Sequence, residues 1–211
     1  MFGQKQKYFL MTNRLHGALI KSKFTIRNKQ NNIKMAFNFT PFPVLETERL
    51  TLRALELNDA KAIFGLRTNK EVNTFITRTM LNNLSETRAL IDSISNSIAN
   101  NTRIFWVLES KDTAELLGTI GLNNFETEEN YAEIGYDLHP DFQENGYMSE
   151  AFEAILKFSA KQMDLKFVEA FTHQNNNASV ALLKKYNFEL QPDKKDADFE
   201  DNQIYRFAVD A

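Results

Sequence analysis

Cysteine is absent from all 211 residues of the chain. Disulfides, thiolate metal sites and cysteine nucleophiles are therefore excluded, and the absence fits a reducing compartment. Histidine is scarce. His16, His139 and His173 are scattered without the spacing of a zinc site, so no metal is expected. Long apolar runs are also missing: none approaches the roughly 20 residues that would span a bilayer. No basic start, apolar stretch and small-residue cleavage site combine into a secretory signal. These absences predict a soluble, cytoplasmic protein with no membrane span.

Acidic residues are missing from one end only. Residues 1–34 carry Lys5, Lys7, Arg14, Lys21, Lys23, Arg27, Lys29 and Lys34 and no Asp or Glu, a charge of +8 that leaves -11 of the net -3 for the rest. Such an arm reads either as a contact for the ribosome, RNA or a membrane surface or as an artefact of start assignment ahead of Met35. Residues 35–211 are expected to form one domain, since 43% hydrophobic residues suffice for a core.

Within that domain, "ERLTLRAL" alternates as a strand, and "NDAKAIFGLR" follows as a helix with Asn58 and Asp59 as candidate caps. A second helix is expected from Ser85, where Leu90, Ile91, Ile94 and Ile98 recur at helical spacing. "RIFWVLES" and "ELLGTIGLNNF" read as a hairpin, and "NYAEIGYDL" as a third antiparallel strand. A helix at Met148–Met163, a strand in "LKFVEAFTH", a short helix at Ala178–Tyr186 and strands in "NFEL" and "NQIYRFAVD" complete the order. Antiparallel runs with one βαβ passage imply a mixed α/β sheet flanked by helices.

Between the third strand and the helix at Met148 lies "DLHPDFQENGYMSEA". A turn at a helix N-terminus presents unpaired amides and the positive end of the macrodipole, and so can bind an anion. Gly146 lacks a Cβ and lets the backbone approach phosphate closely. The plain alternative is a loop with a glycine for its turn.

This stretch, the element order and "NNNASVALLKKYNFEL" together resemble the GNAT superfamily of acetyl-coenzyme A dependent N-acyltransferases. The opening "LETERLTLRAL" resembles its branch of bacterial ribosomal-protein N-terminal acetyltransferases. The likeness runs from about Leu45 to Val209. It implies a mostly antiparallel sheet of about seven strands with a central V-shaped splay, flanked by about four helices. It implies acetyl-CoA as cosubstrate, with Gln143, Glu144, Asn145, Gly146, Tyr147 and Met148 as the pyrophosphate loop. Met148 departs from the family's small residue, and Glu144 would repel phosphate unless its side chain points to solvent. Strand backbone around Tyr136–Leu138 is expected to pair with the pantetheine, and Gly135 fits a close approach of ligand. Alternation puts Glu133, Gly135 and Asp137 on one face and Ile134, Tyr136 and Leu138 on the other.

The reaction implied is attack of a neutral amine on a thioester. Glu133 is the candidate base, with a solvated or ion-paired strand residue as the alternative. The tyrosine that the family often uses to protonate the thiolate is replaced by Leu183. Ser179 of Asn-x-x-Ser is the candidate donor to sulfur, and Asn176 would contact the cofactor as well as cap the helix; a simple capping motif is the alternative. Asn187 stands where the family has glycine, a position Asn tolerates through left-handed backbone. A covalent serine route through His173 lacks an ordered Ser/His/Asp set. The acceptor implied is a protein N-terminal amine, or else a polyamine or amino sugar; a non-catalytic acyl-CoA binding module is the other class. The acidic "DADFED" would suit a cationic acceptor. Monomer and homodimer are equally compatible with the sequence.

Overall fold

The computed structural model describes residues 37–209. The basic arm, with any ribosome contact expected of it, lies outside the described residues. The element order is β1 (Leu45–Glu46), β2 (Leu50–Ala54), α1 (Ala60–Thr68), α2 (Leu84–Ala99), β3 (Ile104–Ser110), β4 (Leu116–Glu126), β5 (Tyr131–Leu138), α3 (Tyr147–Met163), β6 (Phe167–His173), α4 (Asn177–Lys185), β7 (Glu189–Leu190) and β8 (Asn202–Ala208). The strands form one sheet in the order β1-β2-β3-β4-β5-β6-β8-β7. Every pairing is antiparallel except β5 with β6.

Helices cover both faces, which is why β3 reads as an unbroken apolar run rather than an alternating one. Ile104, Trp106 and Leu108 join the core under α3, where Phe152, Ile155 and Phe158 recur at helical spacing. Phe105 and Val107 face the other way, onto Ile63 of α1 and Ile91 and Ile94 of α2. Trp106 is fully buried, and its indole N–H donates to the Pro43 carbonyl at 2.7 Å, so its single polar atom is satisfied. No described helix is long and apolar enough to cross a membrane.

The sheet is mostly antiparallel as expected; to the about seven strands expected it adds the two-residue β1, which carries no alternation to read. The ends of several elements need correction. Asn83, not Ser85, caps α2, its side chain accepting from the Glu86 amide. Asp59 occupies the N-cap of α1 but makes no cap bond there; its carboxylate instead accepts from the Glu56 amide and the Arg53 guanidinium. α4 begins and ends one residue before the expected span, and α3 begins one residue before Met148.

The aromatic cluster around Phe152 joins α3 to the functional strands: its ring packs 5.5 Å from Tyr136, 5.2 Å from Tyr186 and 5.5 Å from Phe188. Phe152→Ala is expected to lower the unfolding free energy by about 3–5 kcal/mol, read as a shift in denaturation midpoint. A loss under about 1 kcal/mol would contradict this packing.

Candidate active site

The parallel ladder between β5 and β6 is short. Tyr131–Ile134 pair with Phe167–Ala170, and there the ladder stops. Beyond it β5 stays with β4 as far as Leu138, while β6 stays with β8 as far as His173. Each outer half has an antiparallel partner on its other side, so the twisted strands diverge without leaving both edges bare. Among the described residues, one edge of Gly135–Leu138 has no ladder partner. The opening is a cleft of about 570 Å³, and Glu133, Tyr136, His173, Asn176 and Ser179 are among the residues that line it.

At the far end of β5 the chain turns through Pro140–Phe142 into the glycine loop. Gly146 has φ 80° and Glu144 has φ 62°, both in the left-handed region. Gly146 holds the N-cap of α3 with no side-chain cap bond, and the first intrahelical bond runs from the Glu150 amide to its carbonyl. The amides of Tyr147, Met148 and Ser149 are thus those that helix geometry leaves for an outside acceptor. Gln143, Glu144, Asn145 and Gly146 are exposed, so the Glu144 charge is not confined against the amides. The side chains of Gln143 and Asn145 brace the loop, donating to the carbonyls of Leu138 (3.1 Å) and Gln143 (2.8 Å). Met148 turns into the core and is buried; only its amide can face a ligand.

Arg49, in the turn before β2, fixes this loop from outside. Its guanidinium donates to the Asn145 carbonyl at 2.9 Å and to Glu150 at 2.8 Å, and lies 4.4 Å over the Tyr147 ring. Glu150 also accepts from the Arg49 amide and the Thr47 hydroxyl. Burial acts to raise its pKa, but these hydrogen bonds and the Arg49 charge hold it below the usual carboxylate range. The sequence reading missed Arg49; an arginine opening a strand carries no local signal of a partner 101 residues away. Lys185, at the end of α4, adds a cation at the same helix end, donating to the Ser149 hydroxyl at 2.6 Å.

Deeper in the cleft, the hydroxyls of Tyr136 and Ser179 meet at 2.8 Å. Two residues expected on separate grounds are therefore one unit. Burial pushes the Tyr136 phenol up to about 12, against the effect of its hydrogen bond with Ser179, so it remains protonated at neutral pH. Asn176 caps α4 by accepting from the Ser179 amide at 3.2 Å, which sets the serine on the first turn facing the cleft. Leu183, where the family tyrosine would sit, is fully buried in the core. Tyr186 is also structural, its hydroxyl donating to the Ser149 carbonyl at 2.6 Å. Asn187 has φ 57°, the left-handed backbone expected of it.

Glu133 is only 6% exposed, which corrects the solvated-strand alternative. Asn124, itself at φ 49°, donates to its carboxylate at 2.8 Å. His173 lines the same cleft, with Nδ1 accepting from the Asn175 amide at 3.1 Å. The partner seen for the Ser179 hydroxyl is a phenol, not an imidazole.

Comparison with known proteins agrees with this geometry. A family model described as an acetyltransferase (GNAT) domain matches residues 49–189. The chain is 32% identical over 150 residues, covering 71% of itself and 85% of the relative, to "Uncharacterized N-acetyltransferase YoaA" of Bacillus subtilis (strain 168). The fold is similar to that of RimL, a ribosomal L7/L12 alpha-N-protein acetyltransferase in complex with coenzyme A. That match has a TM-score of 0.72 at 22% identity, over 79% of this chain and 98% of that one. It is similar also to the Microcin C7 self immunity acetyltransferase MccE in complex with acetyl-CoA and AMP, at TM-score 0.69 and 19% identity, over 77% and 93% of the two chains. With a family model spanning most of the domain and a splayed sheet to match, the chain belongs to the GNAT family and is an acetyl-CoA-dependent N-acetyltransferase.

Proposed function

We propose that the enzyme moves the acetyl group of acetyl-CoA directly to a primary amine, the α-amine of a protein N-terminus of the ribosomal-protein kind. The observation that carries the direct route is the Tyr136–Ser179 hydroxyl pair, which lines the same cleft as Glu133. The pyrophosphate of acetyl-CoA lies on the amides from Gln143 to Met148, with Lys185 at the same end. The pantetheine runs along the free edge of Gly135–Leu138. Asn176 contributes by holding Ser179 in place.

In the transfer step the amine nitrogen forms a bond to the thioester carbon and the carbon–sulfur bond breaks. Glu133 takes the nitrogen proton, directly or through water. Ser179 gives its proton to the departing sulfur and takes the Tyr136 proton in turn; burial keeps that phenol protonated beforehand, and it regains a proton from solvent as coenzyme A leaves. The fold likeness to RimL supports a protein N-terminus as acceptor. One observation favours a second reading, a polyamine: Asp198, Glu200 and Asp201 line the cleft together with Glu133.

Binding and chemistry are separately testable. Saturating acetyl-CoA at about 100 times its dissociation constant should stabilise the protein by roughly 2.7 kcal/mol, visible as a raised Tm. Gly146→Asp should fold, since Asp tolerates left-handed backbone, and lose that shift, since it adds a negative charge to the loop proposed to hold the pyrophosphate. No shift in either protein would remove the basis of the proposed cofactor site.

Turnover is read by thiol release, which reports coenzyme A alone because the protein has no cysteine. Peptides beginning with Ala or Ser are compared with spermidine; transfer to none of them would favour a non-catalytic binder. Glu133→Gln and Ser179→Ala are each expected to reduce kcat by about 10²-fold or more, with the acetyl-CoA thermal shift retained. Tyr136→Phe should weaken kcat less than Ser179→Ala, because the serine still reaches sulfur. Equal activity of Ser179→Ala and the unaltered enzyme would eliminate the serine from proton delivery.

A further inference from the structure

The loop joining α1 to α2, residues 69–83, crosses the mouth of the splay and is tied to both arms. Residues 73–77 line the cleft directly. On the β6 side, the Phe75 ring lies 5.2 Å from the His173 ring, an exposed contact with Phe75 38% accessible. On the β5 side, Arg78 Nη1 pairs with Asp137 Oδ2 at 2.8 Å, and the two side chains are only 2% and 0% exposed. Asn73 joins the same knot. Its side chain accepts from Arg78 Nε and donates to the carbonyls of Arg67 and Asn69, which ties the loop back to the end of α1.

The ion pair is poorly suited to a purely stabilising role. Arg78 Nη2 and Asp137 Oδ1 are both buried and have no hydrogen-bond partner among the described residues. A buried pair left partly unsatisfied carries a desolvation penalty that its attraction offsets only in part, and apolar replacements of such pairs are often neutral or stabilising. Arg67 is buried beside it, where burial and the guanidinium groups of Arg78 and Arg103 weigh against its charge and Asp137 is the carboxylate that opposes them. What the pair supplies is direction. A forked guanidinium fixed to one carboxylate and to Asn73 pins the loop to β5 at one point.

We propose that Arg78 and Asp137 are a positioning pair for acetyl transfer, holding residues 73–77 across the splay so that the incoming amine is led to Glu133. Neither residue touches the reacting atoms; they act through the loop. The inference rests on the reading of this cleft as the acceptor site.

The test uses Asp137→Asn, which keeps the side-chain shape and an oxygen facing Arg78, and the apolar double replacement Arg78→Met with Asp137→Leu. Hydrogen exchange at the amides of Asn73, Thr74 and Ile76 needs no substrate, and each of these donates within the loop or to Asn69. In both variants this exchange should quicken at least tenfold. The KM for whichever probe the unaltered enzyme acetylates, an Ala- or Ser-initiated peptide or spermidine, should rise at least tenfold, with kcat changing less. The acetyl-CoA thermal shift should persist, and the Tm of the double variant should stay within a few degrees. If Asp137→Asn leaves both loop exchange and amine KM within twofold, the pair does not position the loop. A double variant that loses stability while Asp137→Asn keeps its KM would mark a structural pair only, and should the double variant fail to fold, Asp137→Asn decides. An absent acetyl-CoA shift in the unaltered protein would count against the cofactor reading, whereas the exchange comparison would still decide the loop inference.

Discussion

Four residues of parallel pairing, Tyr131–Ile134 on Phe167–Ala170, hold the two halves of the sheet together, and the point where they stop defines the site. Parallel pairing arises here because α3 returns the chain to the same end of the sheet, as any βαβ crossover must. Divergence follows because both strands continue with antiparallel partners on their outer edges, β4 for β5 and β8 for β6. A longer shared ladder would close the cleft. A shorter one would leave the β6–β8–β7 unit attached mainly through helix packing.

Everything that bears on chemistry is placed relative to that divergence. The free edge of Gly135–Leu138 leads into the turn at Pro140–Phe142 and then to Gly146, so strand edge and helix end are continuous. The β5 side chains take opposite tasks by alternation. Tyr136 points to the α3 side, where Phe152 supports its ring and Ser179 meets its hydroxyl. Asp137 points to the α1–α2 side, where it holds Arg78. One strand thus presents a hydroxyl pair on one face and a buried ion pair on the other.

The two charged clamps differ in character. Arg49 and Glu150 are partly exposed, at 38% and 18%, and their contribution lies in keeping the glycine loop seated on α3. Solvent screens such a pair, and its Coulomb energy alone is modest. Arg78 and Asp137 are almost wholly buried, so their interaction is strong but so is the cost of desolvation. The first clamp sits at the N-terminal end of α3 and the second where the α1–α2 loop meets β5.

Local pattern determined much of this in the sequence alone. Alternation in "YAEIGYDL" assigned a face to every residue of β5, and the turn "HPDFQENGYM" announced a helix end with free amides. The cap at Asn176 and the left-handed Asn187 were also legible, because capping and positive φ depend on a few adjacent atoms. β1 was not, being too short to carry a period, and Ser85 was mistaken for the cap because Asn83 satisfies the same rule two residues earlier. What the tertiary structure alone decided are the pairings: Tyr136 with Ser179 across 43 residues, Arg78 with Asp137 across 59 and Arg49 with Glu150 across 101. Periodicity tells which way a side chain points but not what it meets, since that depends on how the sheet twists and where a ladder ends.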